Sequence, residues 1–176
     1  TKGFNHEFYI REVAKETKLS PRTAQLILDN LEEKSILESK VRGKIKLYKL
    51  NKNNISLEYI KLTEKYKNIK FIENNHYVSS ILEKVKHNIE GIGILFGSQI
   101  KNAKKESDID ILVIGSYNIK ELMQISKTYK KEIDIKCYKP ERFSEIYEKD
   151  FLIGEVLDNH IIFKGTSSFL ETLWKK

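Results

Sequence analysis

Residues 91–115 read GIGILFGSQIKNAKKESDIDILVIG. An apolar run over 92–96 stops at Gly97-Ser98, the pattern of a strand entering a tight turn. Ten residues beyond Ser98, Asp108-Ile109-Asp110 opens a second apolar run over 111–114. Side chains alternate along a strand, so Asp108 and Asp110 project from one face about 7 Å apart. Carboxylates held that way repel each other unless a cation lies between them. Mg²⁺, a hard ion that takes carboxylate, water and phosphate oxygens, meets that need.

Working outward, a third strand is expected over 131–138 (KEIDIKCY), where Asp134 is the carboxylate best flanked by apolar residues. Glu132 shares its face and is the fallback. Upstream, Val78, Ile81, Leu82 and Val85 recur at helical spacing over 76–88. Before that helix, residues 56–72 carry Leu57, Ile60, Leu62, Tyr66 and Ile69 and read as a connecting helix. Phe169, Leu170, Leu173 and Trp174 form an apolar stripe on a short last helix that suits core packing. His6, His76, His87 and His160 show no metal-ligand spacing and read as surface or packing residues.

An apolar strand, Gly-Ser, a loop, Ser-Asp-x-Asp on a strand, and a later Asp between apolar residues together resemble the minimal nucleotidyltransferase family of the DNA polymerase β superfamily. The resemblance covers residues 76–170. Residues 154–165 (GEVLDNHIIFKG) resemble that family's closing strand and turn. It implies an α/β (α+β) domain with a small mixed sheet. It also implies ATP as substrate, two Mg²⁺ ions, and transfer of AMP to a hydroxyl acceptor. Gly97 and Ser98, with Ser107, would receive the nucleotide phosphates. Asp108, Asp110 and Asp134 would hold the metals, Asp134 taking the ion that activates the acceptor. Members often modify a partner protein, notably as antitoxins that act on a ribonuclease-like toxin. The chain departs from the pattern in a loop about one residue shorter than usual, and Asn102 stands where a glycine is often found. Lys101, Lys104 and Lys105 in that loop suit extra phosphate contacts, or simply a solvated loop.

The first third has a different character. Ile10, Val13, Ala14 and Thr17 mark a helix over 9–17. Ser20 and Pro21 then supply an N-cap and a first-turn proline for a helix over 21–34, burying Ala24, Ile27, Leu28 and Leu31. Val41, Ile45, Leu47 and Leu50 alternate with Lys40, Arg42, Lys44, Lys46 and Lys49 around Gly43, as in a hairpin with a basic tip. Helix, turn, helix and hairpin resemble the winged helix-turn-helix family over residues 5–51. That resemblance implies DNA contacts from Arg22, Lys40, Arg42, Lys44 and Lys46. Winding the second helix at 100° per residue sets Arg22, Leu26, Asp29 and Glu33 outward, and acids on that face oppose phosphate.

Residues 1–52 are thus expected as the winged helix, 53–75 as a helical connector after the polar break at Asn51, Asn53 and Asn54, and 76–176 as the transferase. The chain carries 32 Lys and Arg against 25 Asp and Glu, a net of +7. Residues 1–55 hold 12 of the bases against 7 of the acids, so most of the excess lies there. Such a balance favours phosphate-bearing partners. Cys137 is the only cysteine, which excludes an intrachain disulfide and a thiolate zinc site. No secretory signal and no run of about 20 apolar residues is present, so a cytoplasmic protein without membrane attachment is expected. The first residue is Thr1, so further residues are expected upstream. Compatible partners are a nucleoside triphosphate, an acceptor protein, DNA and a second copy of the chain. The alternative to a working transferase is a DNA-binding regulator whose second domain senses nucleotide. Adenylylation of a small molecule ranks last, because little chain is left to build its pocket.

Overall fold

Ser20 starts the longer helix of the first unit, its hydroxyl accepting from the Thr23 amide at 3.1 Å. The computed structural model describes residues 6–101, 107–147 and 149–174, a mixed α+β chain that divides into two compact units, Thr1–Ile60 and Lys61–Lys176. The first unit runs β1 (Phe8–Tyr9), α1 (Ile10–Thr17), α2 (Pro21–Glu33), β2 (Leu37–Arg42) and β3 (Ile45–Leu50). Lys18 closes α1 in the left-handed conformation at φ 58°, its N–H returning to Ala14 and Lys15. The strands form an antiparallel sheet in the order β1-β3-β2. Leu28, Leu37 and Tyr48 are its buried centre, with Phe8, Ile10, Val13, Leu31 and Leu50 packed around them. Ile27, expected inside, is 46% exposed beside Leu26 at 55%. Leu28 takes the core position on that side of α2.

Helix α3 (Asn54–Asn74) follows, and the boundary between the units falls within it. The polar break before it is a cap: the Asn53 side chain accepts from the Ser56 amide at 2.9 Å. The buried positions of α3 are Ser56, Glu64 and Phe71, whereas Leu62, Tyr66 and Ile69 are exposed.

The second unit continues with α4 (His76–Lys86), β4 (Ile89–Phe96), α5 (Ser98–Lys101), β5 (Ile109–Tyr117), α6 (Ile119–Tyr129) and β6 (Ile133–Tyr138). It ends with α7 (Pro140–Ile146), α8 (Phe151–Asp158), β7 (Ile161–Lys164) and α9 (Thr166–Trp174). Sheet order is β6-β5-β4-β7, with β5 and β6 parallel across the α6 crossover and the other pairs antiparallel. Ile109, Ile111 and Val113 pack with Val78, Ile81, Leu82 and Val85 of α4 and Leu122 of α6. Leu112 and Ile114, on the opposite face by alternation, are buried as well, and α7 contacts β5 while α9 contacts β4. Phe169, Leu170 and Leu173 of α9 are buried as expected.

Residues 154–158, read with the closing strand and turn, are corrected: they belong to helix α8, capped by Asp150, and the closing strand is confined to Ile161–Lys164. His160, read as a surface or packing residue, is a packing residue with polar contacts. Its Nδ1 lies 2.9 Å from the Val156 carbonyl and its Nε2 3.3 Å from Glu64 Oε2, both side chains being almost fully buried. Burial pushes the Glu64 pKa up, but His160 and Lys67 outweigh it and the net shift is downward. No helix among the described residues is long and apolar enough to cross a membrane.

Candidate active site

The site is assembled by register. Phe96, the last residue of β4, stands opposite Asp110 in the antiparallel pair, and Asp110 stands opposite Asp134 in the parallel pair. Asp110 and Asp134 are therefore direct cross-strand neighbours on one face of the sheet, a spacing of about 4.8 Å between strands. Asp108 is exposed at the entrance to β5.

Gly97 makes room for this arrangement. It sits at φ +76°, and a Cβ placed on it would fall 2.3 Å from Asp110 Oδ2. The carboxylate lies where any other residue would put its side chain, and the backbone conformation itself favours glycine. Ser98 then begins the single turn of α5. Buried Gln99 donates from Nε2 to both the hydroxyl (2.6 Å) and the carbonyl of Ser107. That contact pins the far end of the loop one residue before Asp108. Sequence reasoning passed over Gln99, since nothing in a lone glutamine marks it as a brace. The Ser107 hydroxyl, a candidate for nucleotide contact, is engaged in this brace.

The electrostatics follow from the packing. Burial, then the charges of Asp134 and Asp108, push the Asp110 pKa up, against a downward pull from Lys136. Lys136 Nζ lies 3.2 Å from Asp134 Oδ2, and both side chains are about half exposed. Among the described residues, the Lys136 ammonium is thus paired with Asp134 and acts on Asp110 only by its charge. With Lys136 on Asp134, no three His, Cys, Asp or Glu side chains among the described residues are gathered into a ready metal cage. The donor set is nonetheless all oxygen, as a hard divalent ion requires. Glu132, the fallback ligand, lines a different groove with Leu122, Met123, Ile133 and Ile135. Asn102, Lys104 and Lys105 lie outside the described residues, as does the side chain of Lys101.

The cations proposed for DNA fall into two groups. Lys46 Nζ lies 2.6 Å from Glu32 and 3.3 Å from Asp29, and Lys40 pairs with Glu7. Arg42 and Lys44 flank Gly43 at the exposed hairpin tip, and no ion pair to either occurs among the described residues. Arg22 is exposed near the start of α2, 3.5 Å from Gln25 Oε1. Asp29 does not face outward as the helical winding suggested: it accepts from the Tyr48 hydroxyl at 2.8 Å. The exposed face of α2 is Arg22, Thr23, Leu26, Ile27, Asn30 and Glu33.

Against protein-family models, curated proteins and solved structures, the chain gives no match.

Proposed function

We propose that the face formed by Gly97, Ser98, Asp108, Asp110 and Asp134 is the active site of a Mg²⁺-dependent nucleotidyltransferase. It would move AMP from ATP onto a hydroxyl acceptor, on a partner protein in the manner of an antitoxin modifying its toxin. The observation that carries this reading is Asp110, set opposite Asp134, crowded by Asp108, and admitted by the missing side chain of Gly97. Like charges gathered at one half-buried carboxylate are costly, and a fold that keeps them together suits a cationic ligand.

Asp108, Asp110 and Asp134 would hold the ions, and the turn at Gly97-Ser98 would receive the triphosphate through backbone N–H and the serine hydroxyl. Bound Mg²⁺ supplies charge neutralisation on the phosphates and a lower pKa for the acceptor hydroxyl. In the transfer, a bond forms between the acceptor oxygen and the α-phosphorus while the bond from that phosphorus to the bridging oxygen breaks. Pyrophosphate departs, and the hydroxyl proton passes to half-exposed Asp134 and on to solvent. Gln99 acts through Ser107, holding the start of β5 so that Asp108 and Asp110 keep their spacing.

The test is incubation with α-phosphate-labelled ATP and Mg²⁺, with and without the product of the adjacent gene. Label should appear on a protein, and Asp110→Asn should reduce its rate by about a thousandfold or more. Absence of both label and Mg-ATP binding, or an Asp110→Asn variant as active as wild type, removes the proposal.

The exposed pair Arg42 and Lys44 favours a second reading, in which the first unit is a winged helix that contacts DNA and the second unit only senses nucleotide. A gel shift on the DNA upstream of its own gene should then weaken with salt, and less steeply for Arg42→Ala/Lys44→Ala. Binding that is indifferent to salt argues against it.

A further inference from the structure

The register that gathers the aspartates also brings a base to them. Strand β6 continues Asp134-Ile135-Lys136, so by alternation Lys136 projects from the same face as Asp134, about 7 Å further along the strand. Its long stem spans that distance, and Nζ turns back to lie 3.2 Å from Asp134 Oδ2. No other ion pair to Lys136 occurs among the described residues. Its charge also reaches Asp110, where it opposes the upward push of burial and of the two neighbouring aspartates. An ammonium is a compact, strongly hydrated point charge on a flexible stem, so it can sit on a carboxylate and leave it again. Both side chains of this pair are about half exposed, and ion pairs so exposed are weak.

We propose that Lys136 is the resident counter-ion of this site: it holds Asp134 in the free protein, yields that carboxylate to a divalent ion, and turns to the phosphates of the nucleotide. The inference rests on the transferase reading and gives Lys136 a binding role within it. Two cations do not share one carboxylate without repulsion, so an ion arriving alone must displace the ammonium and then face its charge. A nucleotide that arrives with the ion changes the balance, because its phosphates offer the displaced ammonium a new anion. Lys136 therefore opposes the bare ion and favours the ion carried on a triphosphate. Ion and nucleotide are coupled through one side chain, and each raises the affinity for the other by the same factor. The site fills with both together and not with the ion alone.

Mn²⁺, a hard ion that takes the same oxygen ligands, tests this on the full chain, since its free form is counted by paramagnetic resonance. Without nucleotide, Lys136→Met should bind Mn²⁺ about fivefold more tightly than wild type, because no ammonium competes for Asp134. With a non-hydrolysable ATP analogue carrying Mn²⁺, followed by titration calorimetry, the same variant should bind about fivefold more weakly. Lys136→Arg keeps the cation and should stay close to wild type in both measurements. Lys139→Met removes an equal charge from an exposed position three residues on and should move neither, which separates the contact from net charge. Lys136 is half exposed, so Lys136→Met should keep the wild-type far-UV spectrum. Mn²⁺ or its nucleotide complex bound equally by wild type and Lys136→Met, or changes shared by Lys139→Met, overturn the inference and leave the transferase reading standing. Neither ligand bound by any variant removes both.

Discussion

In the first unit two neighbouring carboxylates, Asp29 and Glu32, share the ammonium of Lys46. Each also accepts from a hydroxyl, Tyr48 for Asp29 at 2.8 Å and Ser39 for Glu32 at 2.5 Å. In the second unit Asp110 stands opposite Asp134 with Asp108 close by, and the ammonium of Lys136 lies 3.2 Å from Asp134. The consequences have opposite sign. The Tyr48 hydroxyl, then Lys46, hold Asp29 below the usual carboxylate range, and Lys46, then Ser39, do the same for Glu32. Burial and two like charges push Asp110 above it. Acids matched by donors brace a fold, whereas an acid crowded by like charges raises its free energy and suits a site that binds a cation.

Glu64 offers the largest test of the bracing half of this contrast. It is almost completely buried beside His160 and Lys67, so Glu64→Gln leaves the Lys67 ammonium without its counter-charge and alters the contact to His160, and should cost about 2 kcal/mol. The folded pKa of Glu64 is lowered, so its contribution is fully present above the ordinary glutamate value and fades as pH falls through the lowered one. Trp174 is the only tryptophan and lies in the second unit, so its fluorescence during urea unfolding isolates the relevant transition. Equal unfolding midpoints for Glu64→Gln and wild type at neutral pH would show that the cluster braces nothing.

The two halves of the contrast were unequally legible in the sequence. The Ser20-Pro21 helix start is a local pattern and appears in the structure, and Asp110 lies on β5 with Asp108 just before it. Partners distant in sequence were not legible. Nothing near Asp29 announces the Tyr48 hydroxyl 19 residues on, and nothing near Gln99 announces Ser107 as its partner. Residues 154–158 misled for another reason: a short apolar run around Gly154 fits strand or helix, and the deciding signal was Asp150, whose side chain accepts from the Ile153 amide. The apolar residues of α3 were visible, but not that they serve opposite faces. Periodicity shows that a face is apolar, and only the fold shows which face is already covered.

The sharpest test of the contrast is also the smallest in energy, because it asks for opposite signs. Tyr48→Phe deletes a donor from a buried ring position and should destabilise the first unit by about 1 kcal/mol at neutral pH. Asp29 is held low, so that cost should shrink as pH falls through its lowered pKa, where the carboxylate no longer needs the hydroxyl. Asp110→Asn should do the reverse. The folded pKa of Asp110 is raised, so its ionisation penalises folding above that pKa and not below the unfolded aspartate value of about 3.9. Removing the charge should stabilise the second unit at neutral pH by less than about 1 kcal/mol, the exposure of the site screening most of the repulsion. The gain should vanish in acid. Paired urea titrations at neutral and acid pH, read by far-UV circular dichroism for Tyr48→Phe and Trp174 fluorescence for Asp110→Asn, give both slopes. An Asp110→Asn variant that loses stability at neutral pH would place Asp110 among the bracing acids. Stability gained together with transfer lost would mark it as an acid the fold carries for its ligand.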